Sequence, residues 1–296
     1  MRAVAHLDII YVNNNNRDSH LAQVEPCVIA LGFFDGVHLG HQQVISTAKR
    51  VADEKELPLA CMSFYPHPRE IITNGKKKVQ YIMPMADKQK MLKKMGVKKF
   101  YIIRFDPEFA SLSPKEFVHN YLLDYGVKSV VAGFDFTYGY RGEGNMDRMI
   151  EDSDDRLEVV KVDEVAFDGE KVSSTLIRKL IQSGRVELIH RYLGKRYQIE
   201  GLMFSNEKTA KFKMNPHYLL PASGVYEVIV TNGIDTWKQE ALVEQEEVQL
   251  IFPSGNRKIP TGVQSVQVIW IKCLSSELHA HFLESQFLLK EEVVVY

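Results

Sequence analysis

We expect the chain to fold as a doubly wound α/β domain with a parallel sheet, followed by a second, smaller antiparallel β-barrel domain. Strand-like and helix-like segments alternate up to about residue 186, and short β-rich segments replace them after about residue 193. The length of 296 residues suits two domains. The predicted domains are therefore 1–186 and 187–296.

The first predicted domain has a regular alternation of elements. Short apolar runs predict strands at 27–31, 59–64, 99–103, 129–132 and 157–162. Apolar residues at helical spacing predict helices at 42–54, 85–95, 114–125 and 174–182. Pro114 suits a first helical turn with Ser113 as its cap, and Gly96 and Gly126 stand where helices should end. This order predicts a parallel sheet with helices on both faces.

The second predicted domain is rich in strands. Predicted strands lie at 224–231, 248–252, 263–273 and 292–295. The Asn232-Gly233 pair is a strong hairpin signal, and Pro253-Ser254-Gly255 is a further turn. These features predict a small antiparallel barrel or sandwich of about a hundred residues, of which we take the barrel as the expectation.

The composition argues against several classes of partner. The chain is 45% hydrophobic and 25% charged, with a net charge of −1, which gives no support for binding to nucleic acid or a membrane surface. No apolar run reaches membrane-spanning length. The cysteines Cys27, Cys61 and Cys273 lack metal-site spacing, and we expect reduced, buried thiols in a cytoplasmic protein. The run 76–78 of three lysines predicts a solvated loop.

The segment 32–41, GFFDGVHLGH, is the most informative motif. It follows the strand predicted at 27–31 and precedes the helix predicted at 42–54. Glycines allow a ligand to approach the backbone, and the N–H groups at a helix start favour an anion. Two imidazoles add hydrogen-bond donors. His-x-Gly-His in this setting is typical of nucleotidylyltransferases that attack the α-phosphate of a nucleoside triphosphate; the alternative is two surface histidines beside a turn.

A second candidate phosphate site follows Val172. Ser173, Ser174 and Thr175 fit a helix N-terminus, where hydroxyl and backbone N–H groups can hold phosphate oxygens. Arg178 lies on the same helix face as Ser174 and can bind a phosphate with two N–H groups. The alternative is a plain capped helix with an exposed arginine.

Two loops with aromatic side chains follow predicted strands. Segment 64–69, FYPHPR, is stiffened by two prolines, so its aromatic rings could face a flat ligand and its arginine a phosphate. Segment 133–141, GFDFTYGYR, could stack on a planar heterocycle, with Asp135 binding a ring N–H. A rigid surface loop and a core loop with glycine turns are the respective alternatives.

These four segments together resemble the adenylyltransferase module of prokaryotic-type FAD synthetases. The similarity covers roughly residues 25–200. The matching stretches are 32–41, 64–68 (FYPHP), 133–139 (GFDFTYG) and 172–178 (VSSTLIR), with 184–186 (GRV) and 192–194 (YLG) behind them. The resemblance implies a nucleotidylyltransferase domain that converts ATP and FMN to FAD and pyrophosphate with Mg²⁺, held largely by phosphates and water rather than by a protein metal site.

The resemblance also implies roles for individual residues. His38, His41 and Arg178 are the implied catalytic residues. The implied ATP-binding residues are Gly32, Phe33, Asp35, Gly36, His38, Gly40, His41, Ser173, Ser174, Thr175 and Arg178. The implied FMN-binding residues are Phe64, His67, Pro68, Arg69, Asp135, Phe136 and Arg141.

The second domain departs from the family pattern. A riboflavin kinase module normally carries Pro-Thr-Ala-Asn, whereas the corresponding stretch here, 201–213, reads GLMFSNEKTAKFK. Glu277, in a segment similar to the one that holds the family's catalytic glutamate, is still present. The expectation is a kinase-like barrel without kinase activity.

Other functions stay open at this point. One is a bifunctional enzyme whose divergent loop still binds ATP, and another is a non-catalytic flavin- or RNA-binding regulatory protein. A cytidylyl- or pantetheine-type transferase would share the His-x-Gly-His logic but would not account for the segments 64–69 and 133–141.

Overall fold

The structure, a computed structural model, describes residues 6–22, 24–73, 79–205, 210–251 and 262–274. The chain divides into two compact units, 1–172 and 173–296. This division lies 14 residues before the domain boundary predicted after residue 186. The boundary between independently folding domains stays a prediction. No helix among the described residues is long and apolar enough to cross a membrane.

A parallel sheet forms the centre of the first unit. The strands of this unit are β1 (Asp8–Val12), β2 (Cys27–Leu31), β3 (Leu59–Tyr65), β4 (Lys99–Arg104), β5 (Val127–Gly133), β6 (Thr137–Tyr138), β7 (Gly144–Asn145), β8 (Glu158–Val162), β9 (Ala166–Phe167) and β10 (Glu170–Lys171). Six of these described strands pair in the order β1-β4-β3-β2-β5-β8, and every pair is parallel. The chain moves outward from β2 through β3 and β4, then continues on the other side of β2 with β5 and β8.

The five strands predicted for this sheet are confirmed, and β1 is an addition. Strand β1 lies at the edge of the sheet, where Ile9 and Tyr11 are exposed. Its sequence, DIIYV, is nonetheless rich in β-branched and aromatic residues, so a strand signal was present and the prediction overlooked it. The small pairs β6–β7 and β9–β10 are antiparallel.

The helices of the first unit are α1 (Arg17–Leu21), α2 (Leu39–Glu54), α3 (Pro68–Ile72), α4 (Met85–Lys94), α5 (Pro107–Ala110), α6 (Pro114–Val118) and α7 (Met149–Asp152). The helix predicted at 114–125 is α6 continued by a π-helical turn at His119–Leu123. Ser113 caps α6 through a capping box with Glu116, as expected for Pro114 in the first turn. Gly126, with a φ of 70°, begins the exit into β5.

Strand β2 supplies apolar side chains to two separate cores. Ile29 and Leu31 pack in one core with Phe117, whereas Val28 packs in the other with Ile45 of α2. Successive strand residues face opposite sides of a sheet, so a central strand covered on both sides is apolar throughout. This two-sided burial confirms the doubly wound architecture.

The second unit contains a closed antiparallel barrel of six described strands. Before the barrel, the second unit has α8 (Ser174–Gln182), a 3₁₀ turn at Val186–Leu188 and α9 (His190–Leu193). The strands β11 (Gln198–Ser205), β12 (Ala210–Met214), β13 (Gly224–Thr231), β14 (Thr236–Glu244), β15 (Glu247–Ile251) and β16 (Gly262–Leu274) close in the order β11-β12-β15-β14-β13-β16. The barrel and the hairpin turn at Asn232-Gly233 are confirmed.

Several predictions fall outside the described residues: the strand at 292–295, the turn at 253–255, the lysine run at 76–78 and Glu277. Strands β11, β12 and β14 were not predicted, because polar and charged side chains interrupt their apolar runs. The three cysteines are free. Cys27 and Cys61 are buried as expected, whereas Cys273 is exposed because it lies near the end of β16.

Candidate active site

The loop of residues 32–38 leaves the sheet at its topological switch point. It follows β2, which lies between β3 and β5 in the sheet: the chain passes from β2 to β3 and β4 on one side, then crosses to β5 on the other side. Ligands of open α/β sheets bind beyond the carboxyl ends of the strands at such a point, because the adjoining connections diverge there and leave a crevice. The GFFDGVHLGH motif therefore lies where this fold places a ligand.

The backbone of this loop is strained. Phe34, Gly36 and Val37 have φ values of 52°, 80° and 45°. Only glycine adopts this left-handed region at little cost, and a β-branched residue such as Val37 is a clear outlier there. The side chains of Phe34 and Val37 are buried, which holds the loop in place. Strained backbone of this kind persists where the surrounding structure fixes it, as at functional sites.

His38 begins helix α2. Its Nδ1 accepts a hydrogen bond of 3.3 Å from the backbone N–H of His41. The helix consequently starts three positions before the predicted residue 42, because an imidazole does the capping that Ser, Thr, Asp or Asn usually does. The two imidazole rings stack with centroids 3.5 Å apart. A Cβ on Gly40 would lie 3.2 Å from the His38 ring, so glycine leaves room for that ring.

Burial keeps both imidazoles neutral. Loss of water lowers the pKa of His38 to about 4, and the nearby Asp135 carboxylate offsets only part of this effect. Burial also lowers the pKa of His41 far below its usual value, with further contributions from His38 and the ammonium of Lys88. The Nδ1 atom of His41 is buried and has no hydrogen-bond partner in the described part of the chain. A neutral ring can donate one N–H to an anion without adding a competing charge.

Asp35 fixes the loop to the segment before α4. Its side chain is 2% exposed, and its Oδ1 accepts a hydrogen bond of 3.1 Å from the backbone N–H of Met83. The carboxylate therefore faces the protein and holds the loop, and the assignment of Asp35 to ATP stays a prediction.

The FYPHPR segment meets the loop of residues 32–38, which we call the phosphate loop after its predicted ligand, through aromatic rings. The rings of Phe33 and His67 have centroids 4.5 Å apart, and the Tyr81 ring lies nearly parallel to that of Phe33 with centroids 6.4 Å apart. His67 caps α3, whose first residue is Pro68, and its backbone N–H donates to the Tyr81 hydroxyl over 3.1 Å. Two motifs that are far apart in sequence thus form one surface.

Phe64 and Arg69, the other two residues of this segment predicted to bind FMN, do not contact the phosphate loop in the same way as His67. Phe64 is partly buried and packs on Phe109 and Phe117, with ring centroids 5.6 and 6.4 Å away. Arg69 is exposed. The structure therefore brings His67 to the phosphate loop, whereas Phe64 contributes to the core.

The loop after β5 carries an ion pair that the sequence alone did not indicate. Asp135 Oδ2 lies 2.6 Å from the Nζ of Lys171 on β10, and this ammonium also lies 4.5 Å from the centre of the Phe134 ring. Asp135 and Lys171 both influence the pKa of His38, in opposite directions. Phe136 is partly buried against the core, and exposed Arg141 lies over the Tyr140 ring.

The Ser-Ser-Thr motif begins α8 in the second unit. Ser173 caps this helix, and its Oγ accepts a hydrogen bond of 3.2 Å from the Leu176 N–H. Ser174 and Thr175 follow in the first turn, with Arg178 one turn later, while the apolar face of α8 is buried. The cap is confirmed, and the assignment of these residues to ATP stays a prediction.

One residue near the loop, Lys88, was missed. It lies on α4, is 1% exposed, and donates to the Phe33 carbonyl over 2.7 Å. The available signal was its position on the apolar side of an amphipathic helix, between Met85 and Leu92, where a lysine is unexpected. Among the described residues, no group of three or more His, Cys, Asp or Glu side chains could hold a metal ion.

Comparison with known proteins agrees with this geometry. The model of the FAD synthetase family matches residues 20–176. A bifunctional riboflavin kinase/FMN adenylyltransferase of Bacillus subtilis is 42% identical over 279 residues, covering 87% of this chain and 88% of its own. An FAD synthetase of Listeria monocytogenes is 30% identical over 225 residues, covering 74% of this chain and 87% of its own.

A solved structure shares the architecture. It is described as a macrolide-efflux protein from Streptococcus pneumoniae, and it superposes with a TM-score of 0.77 at 28% identity. The match covers 90% of this chain and 100% of that one. Together, the family match, the extensive similarity to the Bacillus protein and the histidine motif at the switch point show that the chain belongs to the FAD synthetase family and is an FMN adenylyltransferase, a nucleotidyltransferase.

Proposed function

We propose that this protein transfers AMP from ATP to FMN, forms FAD and pyrophosphate, and does not phosphorylate riboflavin. The single observation that carries the transfer is the stacked pair of neutral imidazoles, His38 and His41, at the N-terminus of α2. Hydrogen-bond donors fixed at a helix N-terminus stabilise negative charge that develops on phosphate oxygens.

The reaction joins two anions and needs no covalent nucleophile from the protein. A phosphate oxygen of FMN attacks the α-phosphorus of ATP, a new P–O bond forms, and the bond between the α-phosphorus and the bridging oxygen breaks. Pyrophosphate leaves with the electron pair of that bond. The enzyme's contribution is to align the two phosphates in line and to stabilise the charge, and the N–H groups of the two imidazoles suit that task.

Two of the residues predicted for FMN lie beside the same loop. The centroid of the His67 ring is 4.5 Å from that of Phe33, and the Asp135 carboxylate is close enough to His38 to raise the pKa of its imidazole in part. We assign the flavin ring of FMN to His67 and Asp135. In accord with the family resemblance, we assign the triphosphate of ATP to Ser174, Thr175 and Arg178. Arg69 and Arg141 are exposed and could contact the FMN phosphate.

We also propose Mg²⁺ as the cation of the reaction. An ion that binds to the triphosphate oxygens keeps much of its water and needs one or two protein oxygens at most, so the reaction does not require a cluster of carboxylates. When bound, Mg²⁺ neutralises charge on the phosphates. The free thiols of Cys27 and Cys61 suit a cytoplasmic location, and the near-neutral net charge suits a protein without a nucleic-acid partner.

The absence of riboflavin kinase activity is proposed from the sequence of the barrel. A kinase must position a phosphoryl donor, and the stretch 201–213 lacks the Pro-Thr-Ala-Asn turn of active modules. The second candidate is a bifunctional enzyme, because the Bacillus relative that matches most of this chain is named as one. The Listeria relative, in contrast, is named only as an FAD synthetase.

One experiment tests both parts. The purified protein is incubated with Mg-ATP and either FMN or riboflavin, and the flavins are separated and identified by mass. FAD from FMN, without FMN or FAD from riboflavin, is the expected result. No FAD from FMN, whether oxidised or reduced, would contradict the adenylyl transfer. FMN formed from riboflavin at a comparable rate, and lost in Glu277→Ala, would establish the bifunctional alternative.

A further inference from the structure

A buried ammonium group lies beneath the phosphate loop. Lys88 is 1% exposed, and its Nζ donates a hydrogen bond of 2.7 Å to the carbonyl oxygen of Phe33. The same Nζ lies 3.5 Å from the Oγ of Ser63 and 5.1 Å from the centre of the Phe33 ring. The Oγ of Ser63, which is fully buried on β3, donates to the same carbonyl over 2.9 Å. One peptide of the loop thus accepts two hydrogen bonds from the protein interior.

Packing alone does not account for a lysine at this position. Removing an ammonium from water is unfavourable unless hydrogen bonds and an opposite charge offset the loss. Burial lowers the pKa of Lys88 to about 8, and the Asp35 carboxylate raises it in part. An apolar side chain would avoid this cost. What the ammonium adds in return is its hydrogen bond to the loop.

The hydrogen bond from Lys88 sets the orientation of the peptide between Phe33 and Phe34. In a planar trans peptide, the carbonyl oxygen and the following N–H point in opposite directions. Because the Phe33 carbonyl is directed at Lys88 and Ser63, the Phe34 N–H is directed away from that buried pair. If the carbonyl turned outward, its partial negative charge would face the phosphates instead. The positive charge of Lys88 also adds a favourable potential beneath the loop and contributes to keeping His41 neutral.

We propose that Lys88 is a positioning residue for adenylyl transfer: with Ser63, it holds the Phe33 carbonyl away from the ATP phosphates and so fixes the loop that carries His38 and His41. Lys88 itself touches the loop and not the substrate. This inference rests on the proposed function, because it concerns how the same site handles ATP.

Two matched substitutions on α4 test the inference. Lys88→Met removes the ammonium and keeps a long unbranched side chain, whereas Lys94→Met makes the same change at an exposed position of the same helix. Steady-state rates are measured with ATP and FMN varied separately. We expect Lys88→Met to lower kcat/KM for ATP about a hundredfold, as small misplacements of a reacting group can do, with the KM for FMN changed less than about threefold. Lys94→Met should match the parent.

Ser63→Ala provides a second, milder variant with a low risk of misfolding. It removes the other donor to the Phe33 carbonyl, so it should lower kcat/KM for ATP with the same sparing of the KM for FMN. Since both side chains act through one carbonyl, the loss in the double variant should be smaller than the product of the two single losses. A residue that merely supported the fold would not produce this split between the two substrates.

The possible results separate the inference from the proposed function. Formation of FAD by the parent, with kcat/KM for ATP within about threefold of the parent in Lys88→Met, would overturn the role of Lys88 alone. A rise in the KM for FMN as large as the fall in kcat/KM for ATP, in both Lys88→Met and Ser63→Ala, would also overturn it. Absence of FAD with the parent itself would overturn both.

Discussion

The imidazole rings of His38 and His41 lie almost parallel, 18° apart in angle and 3.5 Å apart between centroids, and the Nδ1 of the first accepts a hydrogen bond from the backbone N–H of the second. This relationship joins a helix cap to a pair of candidate phosphate ligands. The ring that starts α2 is thereby locked in orientation, and the second ring is stacked on it. Four predictions follow from the surroundings of this pair and from the helix in the second unit.

Replacement of His41 by alanine should lower the turnover of FMN to FAD about a hundredfold or more, the usual effect of losing a donor from a site of developing charge. Measured by FAD formation, this loss should greatly exceed any change in melting temperature. The control is His119→Ala. His119 lies outside the loop and pairs with Asp154, so this variant should keep the turnover of the parent. Equal turnover in His41→Ala and the parent would contradict the catalytic assignment.

The substitution Gly40→Ala should displace the imidazole ring of His38. Its Cβ would lie 3.2 Å from the Cε1 and Nδ1 atoms of that ring, closer than ordinary van der Waals contact. Because the ring must shift, we expect kcat to fall about tenfold or more, in line with the cost of small misplacements. Gln43→Ala, at an exposed position of α2, is the matched control. An unaltered kcat in Gly40→Ala would show that the position of His38 does not limit the reaction.

Replacement of Arg178 by lysine should not be a mild change, since lysine lacks the planar pair of N–H groups that binds two phosphate oxygens at once. We expect weaker binding of ATP and pyrophosphate with FMN affinity less affected, measured by calorimetric titration of each ligand. Lys179→Arg, at the adjacent exposed position, is the control. Weaker binding of FMN with intact ATP affinity would instead assign Arg178 to the flavin.

His38 should bind a proton only near pH 4, because burial lowers its pKa to about that value. The ordinary imidazole pKa is about 6.5, so between these values the unfolded chain holds more protons at this group than the folded chain. The free energy of unfolding should therefore fall as the pH is lowered through this interval. The titration of the His38 ring protons by NMR measures the pKa, and the loss of stability should be smaller in His38→Asn. A midpoint near 6.5 would show that the ring is not held neutral by burial.

The sequence by itself determined the parallel sheet, the helix α2 and the location of the motif beyond β2. Continuous apolar runs such as that of β2 can be satisfied only where a strand is covered on both faces, so the order of elements predicts the sheet. The same order places residues 32–41 at a carboxyl edge. The hairpin at Asn232-Gly233 was likewise predictable, because its turn chemistry is local.

Only the tertiary structure decided which side chains meet. The hydrogen bond between Lys88 and the Phe33 carbonyl joins residues on different elements, as does the ion pair between Asp135 and Lys171. No periodicity in the sequence encodes such a pairing, because it depends on how loops and helices pack around the sheet. The edge strand β1 was missed although its sequence, DIIYV, is rich in strand-forming residues; the structure adds its pairing with β4. Local chemistry thus fixes elements and turns, whereas the site is assembled by contacts between them.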